Sequence, residues 1–390
     1  MRESAHAFVH ARERKRKFLS ACENPVNGNL VGGRKVNKIP VVVTGVGGGG
    51  YGRQVMKALR LANARYKIIA TDISPLSYGL YEADEHYLVP SAESPQYMDS
   101  LIRICKLENT RVLIPGSEPE LLVLTRNLSR LKQEGLIPLT NSVEVINICM
   151  DKHKLFNFLA RNEIPCPRFK AILSESDVLD INYYPVVVKP SRSSGGSNMV
   201  FLAQDPEELA FFSSYLRKYG YEPLAQEYVG SHQEEYTIGI LSIEGGEVLG
   251  SFALRRNITS GLSRRCILRD KMKGNILVIS SGISQGEVDE FHNIRKQAEH
   301  IASTLESQGP LNVQGRIVGD QLYVFEINPR FSGTTSIRAL MGWNEPDILI
   351  KYYLFREKPK QCSYRYGYVL RDLSEKFISF DLMANLSKES

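Results

Sequence analysis

Glu326, Asn328 and Arg330 occupy alternate residues of the run LNVQGRIVGDQLYVFEINPRFSG, residues 311–333. Side chains alternate across a strand, so the three face one side if strand geometry persists to Pro329, while Phe325 and Ile327 face the core. A carboxylate and an amide oxygen beside a guanidinium are two hard oxygen ligands and an anion clamp, the equipment for holding a magnesium-bound polyphosphate. Gln314 on the upstream strand supplies a third oxygen, but only in one register. A two-residue turn at Gly319 and Asp320 pairs Gln314 with Phe325 and sends it to the wrong face. A three-residue loop ending at Gln321 pairs it with Glu326, and this odd-length loop is the expectation. The plain alternative is an exposed hairpin with polar residues on its wet side.

The elements that would position these groups are readable on either side. From Pro40, VVVTGVGGGGYGRQVMKALRLA and KIIATDIS alternate strand, glycine-rich turn, helix and strand, with EHYLVP, RVLIPG and IPLT as further strands. Such alternation builds a parallel sheet from βαβ units over 39–142. SVEVINICMDKHKLFNFLARN reads as a helix leading out of it. YYPVVVKPSRSSGGSNMVFLAQDPEELAFFSSYL then reads as strand, loop, strand and helix. PLAQEYV and EEYTIGILSIEGGEVLGSFALRR read as antiparallel strands, with Gly245 and Gly246 turning a hairpin. An amphipathic helix over about 287–308 precedes the hairpin of Glu326. IRALMGWNEPDILIKYYLF is another helix, and YGYVLRD is a closing strand.

Two glycine-rich loops offer backbone N–H groups to phosphate. The first has six glycines between 45 and 52, and Gly45, Gly47 and Gly50 satisfy G-x-G-x-x-G between a strand and a helix. Asp72 ends the second strand, where a ribose-binding acid sits in a dinucleotide fold, so an NAD(P)-binding oxidoreductase is a rival reading. Such a loop binds phosphate in other folds too, or merely lets a strand turn tightly. No G-x-x-x-x-G-K-[ST] motif occurs, which excludes a P-loop NTPase. The second loop, KPSRSSGGSN, could close over phosphates as a lid, with Lys189 adding a point charge at the strand end. Its plain alternative is a solvated serine-rich turn.

Length and composition set the frame: 390 residues, 43% hydrophobic and 9% aromatic, suit a globular enzyme of two or three domains. No apolar run approaches the roughly 18 residues of a membrane span, and the charged N-terminus argues against a secretory signal, so a cytoplasmic location is expected. The six cysteines are scattered with no CxxC pair, which indicates neither a zinc site nor a disulfide framework. Residues 1–38 carry nine Lys or Arg against three Glu, equal to the whole chain's net charge of +6. The remainder balances to zero, which argues against nucleic acid as a partner of the globular part. The basic tail could grip nucleic acid or an acidic surface, but a mobile, solvated extension is the expectation.

Four motifs in order, MDKHKLFNFL, YPVVVKPSRSSGGS, QEYVGSHQEEYT and NVQGRIVGDQLYVFEINPR, make residues 150–340 resemble the ATP-grasp enzymes. The resemblance is strongest to one synthetase arm of the carbamoyl phosphate synthase large subunit and to related carboxylate–amine ligases. It implies an α/β and α+β multidomain chain. A Rossmann-like parallel-sheet domain (39–142) would precede an ATP-grasp domain (143–355) with a lid around 185–230, flanked by the tail (1–38) and a C-terminal extension (356–390). It also implies that Lys152 and Lys189 bind ATP phosphates beneath a lid of Ser193, Ser194, Gly195 and Gly196. Gln226, Glu227, Tyr228 and Val229 resemble the hinge that reads adenine through backbone groups. Glu235, or alternatively Glu234, resembles the ribose acceptor.

Gln314, Glu326 and Asn328 match the family's ligands for Mg²⁺, with Mn²⁺ as the alternative ion, and Arg330 matches the arginine on the transferred phosphate. Gln in place of a carboxylate at the first ligand resembles the carbamoyl phosphate synthase arm. The implied reaction activates a small carboxylate as an acyl phosphate and joins it to an amine. Arg338, eight residues past Arg330, is the candidate clamp for the substrate carboxylate, with Arg255 and Arg256 as alternatives. A homodimer is the default for this class. A non-catalytic ATP-binding protein is a further alternative, against which the intact Glu326, Asn328 and Arg330 set argues.

Overall fold

In the computed structural model, which describes residues 38–47, 50–192, 199–258 and 261–379, IPVVVT forms β1 (Ile39–Thr44) at the centre of a five-stranded sheet. The basic tail and the lid residues Ser193, Ser194, Gly195 and Gly196 lie outside the described residues. Around β1 stand β2 (Tyr66–Asp72), β3 (Glu85–Leu88), β4 (Val112–Ile114) and β5 (Ile137–Pro138), in the order β3-β2-β1-β4-β5. Every pairing is parallel. The strands are continuous apolar runs because both faces are covered. Val41, Val43 and Ile68 pack into one cluster, and Val42, Ile69 and Leu113 into another. Two glycines serve close approach: a Cβ on Gly116 would lie 1.9 Å from the Thr44 carbonyl, and one on Gly52 2.6 Å from that of Gly45.

The expected helix leading out of this sheet is two helices, Val143–Cys149 and Lys152–Arg161. Asp151 causes the break, because its carboxylate accepts the Lys154 N–H at 3.1 Å and so caps a new helix. The new start puts Lys152 at the first helical position, where its N–H donates to the Ser191 carbonyl at 3.0 Å.

Next come β6 (Phe169–Ala171), β7 (Val186–Pro190), β8 (Phe201–Ala203) and β9 (Pro223–Glu227), an antiparallel sheet in the order β6-β9-β7-β8. It has its own apolar cluster, in which Val186 and Val188 meet Leu209 and Leu216 of the helix Pro206–Lys218.

The remaining strands are β10 (Glu235–Ser242), β11 (Val248–Arg256), β12 (Arg264–Arg269), β13 (Ile276–Ser280), β14 (Gly286–Val288), β15 (Pro310–Val318), β16 (Gln321–Asn328) and β17 (Gly367–Val369). Six of them form an antiparallel sheet, β16-β15-β10-β11-β14-β17, and β12 and β13 form a separate ribbon. Gly245 and Gly246, both at positive φ, turn the hairpin between β10 and β11 as expected. The amphipathic helix is shorter than expected, His292–Thr304, because residues 286–288 are spent pairing with β11 as β14. The expected helix after residue 335 is also two, Thr335–Met341 and Glu345–Phe355. Gly342 at φ +117 ends the first, while Asn344 caps the second and Pro346 sits in its opening turn. The closing strand is β17, which pairs with β14 and ties the C-terminal segment into the main sheet.

Candidate active site

A two-residue turn, and not the expected three-residue loop, joins β15 to β16: Val318 pairs with Gln321, and Gly319 takes φ +62 at the first turn position. Gln314 still pairs with Glu326, because the register shifts between Gln314 and Gly315. Gly315 pairs with Val324, and Phe325 is the extra residue of a β-bulge. The bulge does what the longer loop was expected to do. It also overturns the expected orientation of Phe325, which lines the cleft while Ile327 stays in the core. Left out of the ladder, the Phe325 carbonyl accepts a hydrogen bond from Lys189 Nζ at 3.2 Å.

Glu326, Gln314, Asn328, Arg330, Lys152, Lys189, Gln226, Glu227, Tyr228, Val229 and Glu235 all line one cleft of about 720 Å³. Lys152 comes from the capped helix and Lys189 from the end of β7, and both are buried. Burial, and then the neighbouring Lys152 ammonium, push the Lys189 amine down to about 7, with Glu326 opposing. Burial also lowers Lys152, again against Glu326. Two desolvated amines side by side favour an incoming polyanion, which would stabilise the charged form of each.

Glu235, 1% exposed, opens β10 opposite Arg316. Its carboxylate accepts from Arg316 Nε at 3.0 Å and Nη2 at 2.9 Å, and from Arg256 Nη1 at 2.8 Å. Despite its burial, these two arginines hold it below the usual carboxylate range. Glu234 lies outside the cleft lining and bonds the Tyr236 hydroxyl. In the hinge segment the N–H groups of Glu227 and Tyr228 already donate to the carbonyls of Arg168 and Pro185. A base would therefore be read by the segment's other backbone groups. Arg316 lies over the Tyr228 ring at 4.3 Å and donates to the Val229 carbonyl at 3.3 Å, which fixes that wall.

Arg330 Nη2 donates to Asn328 Oδ1 at 3.0 Å and to Glu118 Oε1 at 3.2 Å, and its guanidinium stacks 4.6 Å from the Tyr51 ring. Among the described residues no group of three or more His, Cys, Asp or Glu side chains could hold a metal. An ion here would rely on the Glu326 carboxylate, the amide oxygens of Gln314 and Asn328, and oxygens from phosphate or water. That donor set suits Mg²⁺, which binds through one or two carboxylates plus substrate phosphates, and does not suit zinc.

Arg338 is corrected by the structure: it is absent from the cleft lining and 1% exposed. Its guanidinium is committed to Glu345 through two 2.9 Å bonds, to Asn312 Oδ1 and to the hydroxyls of Ser332 and Thr334. It positions Asn312, whose Oδ1 also accepts from Thr237. Arg255 pairs with Glu287 and Glu234 outside the cleft, whereas Arg256 lines the cleft but is held by Glu235. Asp72 accepts the N–H groups of Gly47 and Ser74, so its carboxylate is spent inside its own loop, which weighs against a ribose there. Cleft residues that sequence patterning did not single out are Tyr51, Gln54, Glu118, Thr237, Asn312, Arg316 and Arg371. For Asn312 and Thr237 a signal existed, since they follow the same period-two alternation as Gln314 and Glu235.

Residues 43–139 match the family model for a PylC-like N-terminal domain, and residues 149–334 match that for an ATP-grasp domain. The chain is 24% identical over 59% of its length to the carbamoyl phosphate synthase large chain of Thermotoga neapolitana, of which it spans 21%. Among solved structures it resembles N5-carboxyaminoimidazole synthetase from Staphylococcus aureus, with a TM-score of 0.59, 15% identity, and coverage of 84% of this chain and 81% of that one. It also resembles L-amino acid ligase from Bacillus licheniformis, with a TM-score of 0.57, 20% identity, and coverage of 83% and 75%. From its parallel-sheet domain through the bulged hairpin, the chain is a member of the ATP-grasp superfamily with a PylC-like N-terminal domain.

Proposed function

We propose that this protein is a Mg²⁺- and ATP-dependent ligase that activates a small carboxylate as an acyl phosphate and joins it to an amine. The observation that carries the reading is the convergence of the Gln314–Glu326 pair, Arg330 and the two buried lysines on one cleft. The names of the relatives, carbamoyl phosphate synthase and amino acid ligase, support the same class.

Lys152 and Lys189 hold the triphosphate, the hinge Gln226–Val229 takes the base, and Glu235 with its two arginines forms the wall beside the ribose. Bound through Gln314, Glu326 and Asn328, Mg²⁺ (or Mn²⁺) supplies neutralisation of phosphate charge. Arg330 faces the γ-phosphoryl group and stabilises the charge that its equatorial oxygens carry during transfer. A carboxylate oxygen of the substrate attacks the γ-phosphorus, and the bond to ADP breaks. The amine lone pair then attacks the acyl carbon, phosphate leaves with the electron pair of the C–O bond, and the nitrogen loses a proton.

A screen for ADP release over pooled amino acids and small carboxylates, run beside Glu326→Ala, tests the reading. We expect turnover with at least one pool and its loss in the variant. The fold should persist, with stability within about 1 kcal/mol of the parent, because the change removes a partly exposed ligand and no core contact. ADP release that is indifferent to Glu326→Ala would contradict the metal assignment.

A further inference from the structure

Among the described residues, four buried or half-buried arginines in or beside the cleft meet a carboxylate, and the half-buried Arg371 does not. Arg256 and Arg316 share Glu235, Arg338 has Glu345, and Arg330 has Glu118. Arg371 lines the same cleft, yet its guanidinium bonds only neutral acceptors: the Gly333 carbonyl, Ser336 Oγ at 3.1 Å and Gln54 Oε1 at 3.4 Å. Among the described residues no carboxylate lies within ion-pair distance of it. Desolvation alone pushes it down from the usual arginine range, to about 10. A half-buried cation left without a counter-charge is costly unless something anionic arrives.

The surroundings are built to hold it there. Arg371 lies two residues past β17, which pairs with β14, and its own N–H donates to Gln285 Oε1 at 3.2 Å. Beside it, Gln54 Oε1 accepts from both Ser336 Oγ, at 2.6 Å, and Arg371. With that oxygen taken twice, the amide nitrogen of Gln54 is the group left to donate to a ligand. Gly333, whose carbonyl Arg371 bonds, is three residues beyond Arg330, and Gln54 belongs to the N-terminal domain, so Arg371 lines the cleft where that domain meets the loop after β16.

We propose that Arg371, assisted by Gln54, binds a substrate carboxylate that does not react. That group is either the carboxylate of an amino acid supplying the amine or the second carboxylate of a diacid supplying the acyl group. A planar guanidinium matches a carboxylate through paired N–H bonds. The assignment rests on the ligase reading above and moves the clamp expected at Arg338 to the C-terminal segment.

Thermal shift of the full chain tests it, with Mg²⁺ and a non-hydrolysable ATP analogue present throughout. The probes are glycine, alanine, glutamate and succinate, each compared with its amide. We expect at least one free acid to raise Tm where its amide does not. That shift should vanish in Arg371→Gln and partly return in Arg371→Lys, with apparent affinity for the acid falling about 10- to 100-fold in the glutamine variant. An acid that stabilises parent and Arg371→Gln alike, an amide that works as well as its acid, or no response to any acid would each overturn the assignment. The shift produced by the ATP analogue alone is read separately. Its absence from the parent protein would sink the ligase reading whatever the acids do.

Discussion

Burial and the adjacent Lys152 ammonium hold the Lys189 amine near pH 7, well below the lysine norm of 10.5. Unfolded chain binds this proton up to the higher value and folded chain only up to the lower one, so between about pH 7 and 10.5 the group makes the free protein more stable as pH rises. A triphosphate beside the amine reverses the preference. Nucleotide binding at pH 8.5 should therefore take up a proton, measurable by isothermal titration calorimetry in buffers of different ionisation enthalpy. Equal apparent enthalpies in those buffers would refute it, and Lys189→Met should abolish the uptake. At this scale the alternation of Glu326, Asn328 and Arg330 was legible because a strand's period is local. Which arginine was available was not. Arg338 is consumed by Glu345 and Asn312, 7 and 26 residues away, while the acceptors of Arg371 stand 35 to 317 residues away.

Elements show the same division between local and distant causes. Strand and helix types were largely readable, but their breaks depend on single residues: Asp151 as a cap, Gly342 at positive φ, Phe325 as a bulge. Turn chemistry at Gly319 favoured two residues, and only the bulge reconciled that turn with a paired Gln314 and Glu326. Bulges have weak sequence signatures, since any residue can be the extra one. The Asp151 cap makes a testable case. Asp151→Ala should cost about 1 kcal/mol in chemical denaturation and raise KM for ATP by loosening the start of the helix that carries Lys152. Asp151→Asn, which keeps the cap, should restore most of both. An unaltered KM in the alanine variant would show that the cap does not position Lys152.

Across the whole molecule, the parallel sheet followed by antiparallel sheets was evident from motif order, whereas β14 and the β12–β13 ribbon were not. Ile267 and Leu268 of β12 are exposed, and β13 buries the consecutive Leu277, Val278 and Ile279, so neither strand shows the buried alternation of a half-buried strand. The Arg338–Glu345 pair joins the loop after β16, Asn312 of β15 and the helix Glu345–Phe355 inside the core. Glu345→Gln leaves that guanidinium buried and uncompensated and should lose about 3–5 kcal/mol in urea denaturation. Adding Arg338→Met should recover much of the loss; failure to do so would mean the pair acts by some route other than charge. Arg330 carries the last consequence. Its guanidinium is gripped by Asn328 from one domain and by Tyr51 and Glu118 from the other. If Arg330 faces the phosphoryl group as proposed, its aim is a joint property of both halves, and a chain severed between residues 142 and 143 should yield fragments that are chemically mute apart and competent only on reassociation.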